Sequence, residues 1–478
     1  MKHTKFVALT VMATVLCCVL VADVQGQIVP AIGGFGWRIQ QTSAEENFGA
    51  YGQGNNVDTV ESEQFVVSVS RTVPYNNSSP SVPGGNFLIY RKVDKASQTP
   101  THIIFPVGPR GYSSSSPCSL ALSHNEQNVF ITTNVVDDFT LEHRVLVMKV
   151  RLVDNVVIWS RDFSYGWWAP NEITGLEIER SFDSTGAASG YTVVGTFKSD
   201  DALGTVPHIF AFKFLGSGAL SWDSCAAMSV TARLSDAKTL QRNLRWVGFT
   251  PTGEVVVQWI NTDTGAFGVL REFSISGQFL ADPRIDFDDR FASMNGYFMT
   301  IDRNGSGLEP LILSAENNGT IRWCRRMRYC DKPVGVVSEG TELFAMARYD
   351  NPGLFTTQEY LRYALNPGTG AAIPAQCISG DFVFEAYSFE MGINRLITTT
   401  NDYDPGALDR WEIYKEIPPL FGSGPNSYSC EAFHNYVTSA VGIELQDLAI
   451  GLLATSGDWE NLAIAPFAPQ VELLNCWE

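Results

Sequence analysis

The sequence is poor in charge, in basic residues and in helical pattern. Only 18% of its 478 residues are charged, against 45% that are hydrophobic. Lys and Arg number 33 against 51 Asp and Glu, a formal charge of −18. A chain this acidic does not seek nucleic acid or anionic lipid through its net field. It favours cations and basic partners, in a salt-dependent way. Catalytic signatures are missing: there is no G-x-S-x-G, no H-E-x-x-H and no G-x-x-x-x-G-K-[ST]. His102, His124, His143, His208 and His434 do not stand at metal-ligand spacing from one another. Past the N-terminal stretch no run reaches about 18 apolar residues, so no membrane span is expected. Leu474-Asn475-Cys476-Trp477-Glu478 lacks the tail of a lipid-anchor signal. The apolar fraction excludes wholesale disorder. Length alone admits roughly two to four domains, or one large repeat fold.

The chain starts like a leader. Lys2 and Lys5 precede the apolar stretch Phe6 to Ala22, and Val24 and Gly26 are small enough for cleavage before Gln27. Residues 1–26 are therefore expected to be a secretory signal peptide; the alternative is a membrane anchor, for which the run is short. Cleavage removes Lys2, Lys5 and Asp23 and leaves a charge of 31 − 50 = −19. It also takes Cys17 and Cys18, leaving seven of nine cysteines: Cys118, Cys225, Cys324, Cys330, Cys377, Cys430 and Cys476. An oxidising compartment favours pairing, and an odd number leaves one cysteine over. Cys324 with Cys330, clipping a hairpin, and Cys430 with Cys476, pinning the tail, are the candidate disulfides. Asn76, Asn77, Asn304 and Asn318 each open an N-x-S/T sequon and are candidate glycosylation sites.

A degenerate internal repeat is the most informative feature. One unit runs Gly190-Tyr191-Thr192-Val193-Val194-Gly195-Thr196, an aspartate-bearing loop, His208-Ile209-Phe210-Ala211-Phe212-Lys213-Phe214, a Gly-Ser-Gly turn, then Ala219-Leu220-Ser221-Trp222. The preceding unit has the same order, through Val129 to Thr133, Val145 to Val150 and Val156 to Trp159. The first strand of this trio recurs at Phe65, Val129, Tyr191, Val255, Tyr297, Leu343 and Leu396, with gaps of 64, 62, 64, 42, 46 and 53. A further short apolar strand precedes it in places, as at Ser119 to Leu122 and Leu244 to Gly248. Short β-branched and aromatic strands split by Gly, Asn and Asp turns, four to a unit, match the arithmetic of a propeller blade. Two stacked β-sandwiches are the competing architecture.

Trp159, Trp222 and Trp323 mark fourth strands, and Trp37 carries the same mark near the N-terminus. Trp411 to Lys415 reads as the third strand of the last unit, and Pro418-Pro419 then interrupts. Residues 37–41 are therefore expected to supply the missing fourth strand and close the ring, pairing edges that would otherwise lie open. On these motifs residues 37–430 resemble secreted β-propeller repeat proteins. The seven recurrences give an all-β ring of seven four-stranded blades over 27–430, with six or eight as the alternative counts, and 431–478 as a C-terminal extension or cap against one face. The resemblance implies no activity, because propellers host many.

Six of the seven units carry aspartate in the loop taken to join the second and third strands: Asp137/Asp138, Asp200/Asp201, Asp263, Asp302, Asp350 and Asp402/Asp404. On one rim these carboxylates would suit Ca²⁺, mineral or a basic partner; as turn residues they need no ligand. Asp302 to Gly307 opens like an EF-hand loop, but position twelve is Leu313 and the flanks read as strands, so a hairpin is expected. Arg322, Arg325, Arg326, Arg328 and Lys332 form a basic island that suits an anion, or a solvated turn. The functional expectation is a secreted, acidic, non-enzymatic binding or structural protein of the extracellular matrix, mineral-associated in one form. Its partner would be an extracellular protein, glycan or mineral surface, with Ca²⁺ the one cofactor to consider. The alternative is an extracellular glycan hydrolase or lyase at the propeller mouth, with Trp167, Trp168, Trp246 and Trp259 available to stack on sugars. Convergent carboxylates at the mouth would favour the enzyme. A mouth filled by apolar side chains and the C-terminal cap would favour the binding protein.

Overall fold

The computed structural model describes most of the chain between residues 57 and 382, with strand segments between 28 and 52 and between 385 and 461. Its architecture follows from strands that are apolar on both faces. In Gly204–Phe214, Phe210, Phe212 and Phe214 point to one side, where they meet Phe130, Phe163 and Tyr191. Ile209 and Ala211, at the alternate positions, point to the other side and meet Leu234 and Trp246. Successive side chains of a strand alternate between faces, so a strand with no polar face must be covered on both. The buried residues accordingly fall into clusters that each lie between two consecutive sheets. That arrangement excludes a pair of sandwiches, which would each enclose one core. It is the packing of a β-propeller.

Seven antiparallel sheets are traced among the described residues. The second comprises Cys118–Leu122, Asn128–Val136, His143–Arg151 and Val157–Ser164. The third comprises Ile173–Phe182, Ala188–Asp201, Gly204–Phe214 and Leu220–Met228. The fourth comprises Arg233–Leu240, Asn243–Phe249, Val255–Asn261 and Leu270–Ile275. The first strands touch in order from Val57–Glu61 of the first sheet round to Glu385–Gly392 of the last, which returns to Val57–Glu61. They form the inner wall. Among the described residues no helix is long and apolar enough to cross a membrane.

The N-terminal strand closes the ring as expected. Phe35–Thr42 pairs antiparallel with Arg410–Glu416, setting Trp37 against Lys415 and Gln41 against Trp411. The C-terminal extension differs from the expected cap over one face. Its strands Phe433–Asn435, Ile443–Leu448, Ile450–Leu453 and Asp458–Asn461 add a fifth strand to the outer edges of the fifth, fourth, third and second sheets in turn. The tail thus runs back around the perimeter, and each pairing covers donors and acceptors of an otherwise open edge.

One strand assignment is corrected. Val255 opens a third strand, not a second, and the second strand of that sheet is Asn243–Phe249. Counting from Leu244, the gaps of 64 and 42 become 53 and 53. The slip arose because the first strand, Arg233–Leu240, is half polar and leaves no apolar run to find.

The tryptophan marks join neighbouring blades. Trp159, Trp222 and Trp323 each lie under a turn of the next sheet, at Gly218, Gly265 and Gly370. All three glycines have positive φ, and a Cβ at Gly370 would stand 2.4 Å from the Trp323 ring. The indoles of Trp222 and Trp323 donate to the carbonyls of Thr262 and Pro367 in the same turns, at 3.0 and 2.9 Å. Third-strand lysines repeat the device. Lys92, Lys149 and Lys213 donate to the carbonyls of Leu152, Gly216 and Thr262 on the following sheet.

Candidate active site

Four neighbouring strands of the inner wall bring polar groups together. In Val57–Glu61, Asp58 accepts three hydrogen bonds. Oδ1 takes the Thr59 N–H at 2.7 Å; Oδ2 takes the Ser119 hydroxyl at 3.0 Å and the Leu120 N–H at 2.7 Å. The carboxylate is thereby lashed to the first strand of the second sheet. Ser119 Oγ also accepts the Ile178 N–H, at 3.3 Å, and so extends the link to the third sheet. In Ile173–Phe182, Leu176 and Ile178 are buried in the core while Glu177 and Glu179 alternate with them on the opposite face. In Arg233–Leu240 a bulge at Ser235 resets the register, after which Asp236 and Lys238 share a face and Ala237 is buried.

Glu177 is the electrostatic focus. Burial holds its carboxyl well above the usual carboxylate range, and the charges of Asp58 and Asp236 push the same way. Ser119 and Lys238 act weakly against them. Lys238 lies 3.8 Å from Glu179, so its charge is shared. The result is two carboxyl groups in contrasted settings, one pushed toward its protonated form by its surroundings and one served by three donors. Such a pair divides naturally into a proton donor and a base or charge stabiliser.

None of these residues was singled out in the sequence. The available signal was an acid at every second position of a short strand, Glu177 with Glu179, set among core residues.

The aspartates taken as one rim do not all share it. Asp200 and Asp201 pair with Thr205 and Gly204 at a hairpin end between second and third strands. Asp302 and Asp402, paired with Glu309 and Arg410, occupy the same position in their sheets. Asp263 does not: it lies in the turn between third and fourth strands, at the other end of its blade, with Lys213 Nζ 4.0 Å away. Asp137, Asp138, Asp350 and Asp404 lie outside the described residues. Among the described residues no three His, Cys, Asp or Glu side chains group as metal ligands. At the EF-hand-like stretch, Arg303 pairs with Leu308 in antiparallel strands, and residues 304–307 lie outside the described residues.

Cys324 and Cys330 do not flank a hairpin. Cys324 is in the fourth strand of the fifth sheet, Ile321–Met327, and Cys330 opens the first strand of the sixth, Cys330–Glu339. Both are buried thiols, as are Cys118 and Cys225. Cys430, Cys476 and the sequon residues Asn76, Asn77, Asn304 and Asn318 lie outside the described residues, as do Trp167 and Trp168. Trp246 is a core residue whose indole donates to Gln258, so it offers no face to a sugar. Of the basic island, Arg322, Arg325 and Arg326 are engaged within the ring, and the side chains of Arg328 and Lys332 lie outside the described residues. Arg326 pairs with Glu309 at 3.2 Å, Arg322 donates to Ser314, and Arg325 donates to the carbonyls of Thr369 and Gly370.

No family model matches the chain, and no curated protein matches it in sequence. Among solved structures it is similar to a subtype N11 neuraminidase-like protein of a flat-faced bat influenza A virus, at 9% identity over 83% of this chain and 98% of that one, with a TM-score of 0.38. It is also similar to the WD40 domain of SCAP from fission yeast, at 9% identity over 81% and 100%, with a TM-score of 0.39. A third similar structure is a point mutant of the NanB sialidase from Streptococcus pneumoniae, at 9% identity over 79% and 70%, with a TM-score of 0.43.

Proposed function

We propose that the inner wall carries a carboxyl acid–base site and that the protein is an extracellular glycan-acting hydrolase or lyase. The observation that carries this reading is the contrast between Glu177 and Asp58. A carboxyl whose pKa is raised above the usual carboxylate range is suited to donate a proton to the leaving oxygen of a glycosidic bond. Asp58, fixed by Thr59, Ser119 and Leu120, supplies a carboxylate of constant orientation for a base or for stabilising positive charge on the sugar. Asp236 helps to keep the Glu177 proton in place. The C-terminal strands run along the outer edges of four sheets and leave the inner wall to the first strands. In this reading the leader-like start delivers the chain outside the cell, where such substrates are.

The test is direct. The chain lacking residues 1–26 is incubated with a panel of neutral and acidic polysaccharides, and new reducing ends or unsaturated products are measured. Cleavage is expected, and Glu177→Gln is expected to lower kcat by about 10²–10⁴-fold, the usual worth of a general acid, with the fold intact. If the folded chain releases no product from any polysaccharide, or if Glu177→Gln is as active as the parent, the enzymatic reading fails.

A further inference from the structure

Arg71 lies in Phe65–Pro74, the second strand of the first sheet, and is fully buried. Its Nη1 donates to Thr133 Oγ1 at 3.0 Å and to the Asn134 carbonyl oxygen at 2.6 Å, both in the second sheet. Among the described residues its Nε and Nη2 have no acceptor. These two N–H groups form one edge of the guanidinium plane, the edge that takes both oxygens of a carboxylate side by side. Burial lowers the Arg71 pKa to about 10, which leaves the group charged at neutral pH. No carboxylate among the described residues pairs with it.

Among the described residues the neighbours supply no negative charge. Asn134 Nδ2 stands 2.9 Å from His143 Nδ1. An amide nitrogen only donates, so this ring nitrogen accepts and carries no proton. Burial first, and the Arg71 charge second, hold His143 down to about 4, so it is neutral. Cys118, also buried here, has its thiol pushed far up by burial, against the pull of Arg71. One further group stands open: Asn134 Oδ1 is buried without a donor among the described residues. A buried cation with a vacant fork and a buried acceptor on the residue beside it are two separate unmet demands.

We propose that the space between the first and second sheets at Arg71 binds a small carboxylate that also carries a hydroxyl or ammonium group. The carboxylate takes Nε and Nη2 of Arg71, and the donor meets Asn134 Oδ1. Such a ligand would tie the two sheets together from within. The test of this site does not depend on catalysis.

The experiment is thermal unfolding and titration calorimetry of the folded chain with lactate, acetate and chloride at matched ionic strength. Lactate is expected to raise the midpoint saturably by a few degrees, acetate by less, and chloride not at all beyond the salt effect. Asn134→Ala should erase the preference for lactate over acetate. Arg71→Met should abolish both responses; Arg71→Lys, which keeps the charge and fills less of the space, should lose the preference for carboxylates over chloride. The Lys variant and the parent calorimetry carry the test if the Met variant does not fold. Equal response to chloride and carboxylates, no heat with either carboxylate, or a response unchanged in Arg71→Lys would overturn the proposal and leave Arg71 an internal cation served by water.

Discussion

Glu177 places a free-energy cost inside the fold, and the sign of that cost is measurable. Its folded pKa lies above the unfolded value of 4.5. Below that unfolded value both states are protonated and the side chain costs nothing. As pH rises the unfolded chain ionises first, so stability falls until the folded pKa is passed. Glu177→Gln is therefore expected to match the parent at pH 4 and to exceed it in stability at pH 8. Urea unfolding at the two pH values reads this, and a variant weaker than the parent at pH 8 would mean that the carboxylate is held by Lys238. His143 acts in the opposite direction. Its pKa is depressed from 6.5 to about 4, so its contribution is whole above 6.5 and is lost as pH falls toward 4. His143→Gln should flatten that acid limb of stability, as seen in unfolding at pH 7, 5.5 and 4.

At the scale of the element, the unit that repeats is a contact between blades more than a strand. The indole of Trp323 both donates to Pro367 and packs on Gly370. Trp323→Phe keeps the apolar face and loses the hydrogen bond, a cost of about 1 kcal/mol. Gly370→Ala must shift the ring and hold φ +65 with a side chain, at about 2–4 kcal/mol. Because the two changes relieve each other, the double variant should cost less than their sum. Chemical denaturation of the four proteins closes the cycle, and strict additivity would show that the contact does not couple the sheets.

The whole molecule is held by both ends of the chain. Deleting residues 27–45 removes the strand paired with Arg410–Glu416 and should lower the stability of the entire ring, because the last blade loses its outer strand and its tie to the chain start. Ending the chain at residue 430 should act differently. The second to fifth sheets would each lose a fifth strand, leaving exposed edges that recruit other chains. The truncated protein should remain folded and associate with increasing concentration, which light scattering after size exclusion would detect. A monodisperse monomer at high concentration would show that these edges do not need cover.

The fold was legible because its cause is local. Runs such as Phe210 to Phe214 need cover on both faces, and Gly, Asp and Trp recur where each hairpin turns and each blade meets the next. The N-terminal closure was legible for the same reason, through Trp37. The fourth sheet was misread where Asp236 and Lys238 displace the apolar pattern, and those positions belong to the candidate site. Sequence spacing carries no information about residues joined only by the circle: Asp58, Ser119, Glu177 and Asp236 stand about 60 residues apart and become neighbours because four first strands share one wall. The unmet fork of Arg71 likewise exists only between two sheets. The path of the C-terminal strands was decided by the sheets' open edges, since backbone pairing is nearly indifferent to side chains. Alternation and turn chemistry set the ring; its closure alone decided which carboxyl groups stand close enough to raise the Glu177 pKa.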